Sequence, residues 1–135
     1  MTSTAVLALA AAVLLAVAAA FQLALGLGAP WAAAAYGGRV ALPDGRLPRG
    51  HRVASLVTVL VLAGIGWLLL VRGRVLPSAS DGAGTFLTVV VWVVAALFAL
   101  NTLGNLSGRH PVERWGMGAV TGALTVLSAL LAVGA

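Results

Sequence analysis

Three runs of this chain, residues 6–28, 53–71 and 85–103, contain no charged side chain, and a fourth, 112–133, carries charge only at Glu113 and Arg114 near its start. A helix rising 1.5 Å per residue crosses the ~30 Å hydrocarbon layer in about 20 residues, so each run is long enough for one passage. In lipid every backbone N–H and C=O needs a partner inside the segment, and helices meet that demand alone. The chain is therefore expected to be all-α: a single domain, 1–135, folded as a four-helix transmembrane bundle with up-down topology.

The remaining residues cannot build a water-soluble alternative. Of 135 residues, 61% are hydrophobic and 8% charged, against roughly 25% charged in soluble domains. With no cysteine, disulfides, thiol catalysis and iron-sulfur clusters are excluded. All eight basic residues are arginines, against three acids. In so apolar a chain that excess reads as a topology signal and a contact with lipid headgroups, not as a nucleic-acid footprint. No cofactor motif is present: Gly26 and Gly28 precede Pro30 and do not open a helix after a strand, as a phosphate-binding loop would.

Ala18, Ala19 and Ala20 offer the small residues a signal peptidase accepts, but no basic segment precedes the first run and its apolar stretch is long, so it reads as a retained helix. The connection 29–52 is the longest. Pro30 is expected to open a short helical turn carrying Trp31 and Tyr36, aromatics that favour the membrane-water boundary, with Gly37 and Gly38 ending it. Pro43, Asp44 and Gly45 read as a tight turn, and the chain stays irregular to the second helix. A second turn is expected at 77–82. Arginines at 39, 46, 49, 52, 109 and 114 flank the first and third connections, and only Arg72 and Arg74 flank the second. That bias predicts a multi-pass membrane protein with loops 29–52 and 104–111 on the cytoplasmic side and both termini outside.

Helices in lipid associate through small residues and interhelical hydrogen bonds. Ala8, Ala12, Ala16 and Ala19 form such a stripe, running on to Gln22 and Gly26, and Gly118 and Gly122 form a G-x-x-x-G. Either face serves packing within one bundle or pairing with a second copy, so a homo-oligomer stays open. The polar residues within the spans are informative by depth. Gln22 near the end of the first helix, Ser55 and Thr58 near the start of the second, Asn101 and Asn105 near the end of the third, and Glu113 near the start of the fourth all fall at one membrane face in an up-down bundle. An unpaired polar group in hydrocarbon costs several kcal/mol, so Gln22, Asn101, Asn105 and Glu113 are expected to converge, with Arg39 or Arg52 pairing with Glu113. Asn101 and Asn105, four apart, share a helix face beside Gly104. They read equally as a ligand-binding pair or as interhelical glue with Gln22. Glu113 complements a helix N-terminus or acts as an acid-base. His51 and His110 lack a third ligand at metal-site spacing. Ser55 or Ser107 with His110 and Glu113 spells a catalytic triad only on paper, without the sequence of a nucleophile elbow.

The alanine-rich first helix, Gly28-Ala29-Pro30-Trp31, Gly37-Gly38-Arg39 and Leu103-Gly104-Asn105 make the chain resemble uncharacterised small four-helix integral membrane proteins of actinobacteria over most of its length. The resemblance implies the four-helix architecture and no established activity. Small multidrug transporters carry a glutamate within the first helix, where this chain has only Gln22.

The candidate binding cluster is thus Gln22, Arg39, Arg52, Asn101, Asn105 and Glu113, with no metal and no cofactor. The leading function is binding of a membrane lipid, an amphipathic small molecule or a membrane partner at the polar end. The rivals are a membrane enzyme acting on a lipid-soluble substrate, with Glu113 or a histidine as acid-base, and a small oligomeric channel or transporter.

Overall fold

The computed structural model describes residues 1–78 and 84–134, so the turn expected at 77–82 falls mostly outside the described residues. Four long helices follow in order: α1 (Ser3–Gly26), α2 (Arg49–Arg72), α3 (Gly84–Leu106) and α4 (Gly118–Gly134), the last preceded by a π-helical turn, Val112–Met117. Counting that turn with α4, all four are long and apolar enough to cross a membrane. The chain reads as a multi-pass membrane protein, and large apolar side chains such as Leu60, Phe86 and Val133 point outward, as lipid-facing residues do.

The helices pack as two pairs, α1 with α2 and α3 with α4, joined mainly where α1 meets α4, while α2 touches α3 and α4 only sparsely. The core runs through Ala8, Ala11 and Leu15 of α1, Leu69 of α2, Val91 and Phe98 of α3, and Leu124 and Leu131 of α4. The expected alanine stripe is displaced. Ala8, Ala11, Leu15 and Ala18 are the buried set, whereas Ala12, Ala16 and Ala19 line a shallow apolar groove against α2. A straight helix repeats every 3.6 residues, so a four-residue stripe drifts off its face. The G-x-x-x-G packs within the chain: a Cβ on Gly118 would lie 3.0 Å from Leu106 Cδ2, and one on Gly122 3.6 Å from Thr102 Cγ2, both on α3.

Helix ends extend past the apolar runs. Pro48 lies just before α2, which therefore begins at Arg49, not after Arg52. The Arg52 guanidinium donates from Nε to the Gly26 carbonyl at 3.2 Å, a cation on the C-terminal end of α1, where the helix dipole favours it. At the other end of α2, Arg72 donates from Nε to the Leu131 carbonyl at 3.0 Å and from Nη2 to that of Ala132 at 2.8 Å. Arg72 is only 8% exposed. It closes the C-terminus of α4 and is not the plain lipid-flanking arginine its position suggests.

The connection 29–52 is a folded cap with its own small core of Leu25, Ala32, Ala35 and Leu47. The Ala32 N–H donates to the Gly45 carbonyl at 2.9 Å, tying its two halves together. The turn at Pro43, Asp44 and Gly45 forms as expected, closed by the Gly45 N–H on the Leu42 carbonyl, with Gly45 at φ +84°. Ahead of it the chain departs from expectation. A short 3-10 turn covers Ala32–Ala34, and Tyr36, Gly37 and Gly38 then take φ of +52°, +69° and +75°. Three left-handed residues in succession are tolerable because two are glycine.

Candidate functional site

The left-handed turn aims a backbone donor into the bundle. The Gly37 N–H donates to Glu113 Oε1 at 3.0 Å, bridging the first connection and the start of the last helix. Glu113 sits in the π-helical turn, whose wider coil is marked by the Gly118 N–H donating to the Glu113 carbonyl five residues back. Such turns are rare and recur at functional sites. Its side chain is 5% exposed. It lies flat against Gly108, where an added Cβ would come within 2.5 Å of Oε2. Oε2 itself is buried and has no hydrogen-bond partner among the described residues.

That carboxylate stands on the wall of a cavity of about 590 Å³. Gln22 of α1, Arg39 of the cap, Thr58 of α2, Asn101 and Asn105 of α3 and Glu113 line it together. The depth argument is thereby met by geometry: five of the six candidate residues face one space. Arg52 does not join them. It is engaged with Gly26 of α1, and among the described residues no arginine forms an ion pair with Glu113. The expected pairing with Arg39 or Arg52 is not formed: Arg52 is held on the C-terminal carbonyl of α1, and Glu113 takes its hydrogen bond from the Gly37 amide.

The two asparagines differ in their contacts. Asn105 Nδ2 donates to Thr121 Oγ1 at 3.2 Å, gluing α3 to α4 rather than to Gln22. The buried Thr121 hydroxyl in turn donates to the Met117 carbonyl at 2.9 Å. Asn101 is exposed on the cavity wall and its side chain makes no hydrogen bond among the described residues. Gly104 brings no close neighbour: a Cβ there would meet nothing within 4 Å, so the space it leaves belongs to the cavity. Gln22 Oε1 is buried and, like Glu113 Oε2, without a partner among the described residues. Below these groups the wall turns apolar at Leu62, Phe98 and Leu124.

At the surface a second depression, about 550 Å³, shares Gly37, Arg39 and Ser107 with the cavity and adds Arg109 and His110. The mouth is cationic and the interior offers acceptors.

The histidines are used locally. His51 packs edge-on against Tyr36 with centroids 5.0 Å apart, and His110 Nδ1 accepts the Val112 N–H at 3.2 Å. Ser107 donates to the Leu103 carbonyl at 2.7 Å, and Ser55 is fully buried in α2. The residues of the paper triad therefore do not meet: Ser107 and His110 bond elsewhere and Ser55 Oγ is buried without a hydrogen-bond partner among the described residues, where no three metal-ligating side chains cluster. Reasoning from sequence missed Gly37, Gly108 and Thr121. The paired glycines before Arg39 were a signal that the backbone bends sharply there, but not that it donates to an acid 76 residues away.

No family model, no curated protein and no solved structure matches this chain.

Proposed function

We propose that the protein binds an amphipathic membrane molecule, with the polar head held at the cap end of the bundle and the apolar part in the lipid alongside α2 and α3. The observation that carries this reading is the pair of buried, unpartnered acceptors, Glu113 Oε2 and Gln22 Oε1, on one cavity. Buried polar groups are nearly always hydrogen-bonded, and an exception calls for an explanation. A ligand head supplies one. The volume, about 590 Å³, lies within the roughly 300–1,000 Å³ of small-molecule sites. The sparse contact between α2 and α3 supports a lateral way in from the bilayer.

Binding is favoured over catalysis because, among the described residues, Glu113 Oε1 accepts from the Gly37 amide while Ser107 and His110 bond elsewhere. It is favoured over transport because the far half of the bundle is filled by Ala8, Leu69 and Leu131, each fully buried. We also place the cap on the cytoplasmic side. Setting aside Arg52 and Arg72, which bind helix ends, the flanking arginines still stand at five (39, 46, 49, 109 and 114) against Arg74 alone.

The test is native mass spectrometry of gently solubilised protein beside its Asn101→Leu variant. Asn101 makes no bond that holds helices together, so the variant is expected to stay folded and lose the co-purified molecule. A variant that keeps the molecule, or a wild type that carries none under any gentle extraction, refutes the reading.

A further inference from the structure

We infer that the head recognised is a primary ammonium joined to a phosphate, the aminophospholipid chemistry; the inference rests on the binding reading above. Glu113 is held by Gly37 so that only one of its oxygens is satisfied. The other, Oε2, is buried against Gly108 without a partner among the described residues; Gln22 Oε1 is in the same condition, and both residues line the same cavity. Both atoms accept, Oε2 as a carboxylate oxygen and Oε1 as an amide oxygen. The missing partner is therefore a donor.

Charge narrows the choice. Among the described residues no cation is paired with Glu113, and a buried charge is costly unless compensated. A hydroxyl head satisfies the acceptors and leaves the charge bare. A trimethylammonium head compensates the charge and has no N–H for either acceptor. A primary ammonium does both, with three N–H donors. At the mouth the sign reverses. Arg39 borders both the cavity and the surface depression, and Arg109 stands beside it there. Two guanidinium groups next to an acceptor-lined cavity match a phosphate next to an ammonium, since arginine recognises phosphate oxygens in bidentate fashion.

Delipidated full-length protein in micelles should be titrated with phosphatidylethanolamine, phosphatidylcholine and phosphatidylglycerol, with bound lipid counted by native mass spectrometry. Soluble glycerophosphoethanolamine serves as the arm that separates a lipid from a free head. Phosphatidylethanolamine is expected to bind at least about tenfold tighter than either other lipid, the low end of what one charge-assisted hydrogen bond contributes. The soluble head should compete weakly. Glu113→Gln should cancel the preference over phosphatidylcholine while melting within a few degrees of wild type. Gln22→Leu, which leaves the Gly37 bond intact, should weaken the same preference if Glu113→Gln does not fold. Equal binding of ethanolamine and choline lipids, or a preference that survives both substitutions, overturns the ammonium inference and leaves amphiphile binding standing. Failure of all three lipids to bind overturns the aminophospholipid inference, whereas amphiphile binding itself stands or falls with the co-purified molecule. Tight binding of the soluble head alone overturns the assignment to a lipid.

Discussion

At both ends of α2 an arginine crosses to the C-terminal carbonyls of a neighbouring helix, Arg52 to Gly26 of α1 and Arg72 to Leu131 and Ala132 of α4. The surroundings differ sharply. Around Arg72 the helices close up: a Cβ on Gly73 would stand 2.3 Å from Ala8 Cβ and 2.8 Å from the Thr4 carbonyl. Around Arg52 a folded cap covers the bundle, and beneath it lie Gln22, Asn101 and Glu113 on a cavity. A helix C-terminus attracts a cation at either end. At the far end the buried polar groups among the described residues are Arg72, on helix carbonyls, and Ser128, whereas at the cap end the long connection supplies a partner of its own, the Gly37 N–H on Glu113.

The contrast can be broken at its strongest point. Arg72→Met removes two charge-assisted bonds from a buried site and should cost roughly 3 kcal/mol, while Arg52→Met, losing one half-buried bond, should cost about 1 kcal/mol. Chemical unfolding in micelles measures both, and equal losses would mean that the two tethers are equivalent.

A glycine pair probes the packing directly. Gly73→Ala inserts a methyl group against backbone and should destabilise by about 1–3 kcal/mol. Gly104→Ala meets open space and should leave the unfolding midpoint where it is or raise it slightly, since alanine is the better helix former. A destabilised Gly104→Ala would show that the cavity end is as tightly packed as the other.

The most local effect belongs to the turn that holds the acid. Gly37→Ala places a side chain at φ +69° and should cost about 1 kcal/mol. Its more telling consequence is local. Proteolysis of the cap should quicken while protection of α4 by hydrogen exchange stays unchanged beyond the π-helical turn. Loss of protection along the whole of α4 would mean that Gly37 supports the bundle and not merely the site.

Much of the cavity was legible because depth follows from chain position. In an up-down bundle a residue's distance from the helix end fixes its height, so Gln22, Asn101, Asn105 and Glu113 could be set at one level from the sequence alone. Height does not fix azimuth. Whether Asn105 turns to Gln22 or to Thr121 depends on the rotation of α3 against α4, which Gly118 and Gly122 determine by letting α3 approach. The partner of Glu113 was misjudged for a related reason. Charge pairing is a rule about types of residue, whereas the bond that forms comes from a backbone amide, which carries no label in the sequence beyond the glycine that lets it turn.

By itself, then, the sequence determined the four apolar helices, their alternation and the end at which polar groups gather, since hydropathy and backbone satisfaction in lipid act locally and need no knowledge of neighbours. The tertiary structure decided what each polar group meets. It assigned Arg52 and Arg72 to helix ends, folded the cap on Leu25, Ala32, Ala35 and Leu47, and left Glu113 Oε2 and Gln22 Oε1 unpaired among the described residues on one cavity wall. Hydrogen bonds are short and directional. An ångström of helix placement or a few tens of degrees of rotation chooses between donors, and those quantities are fixed only when all four helices are packed.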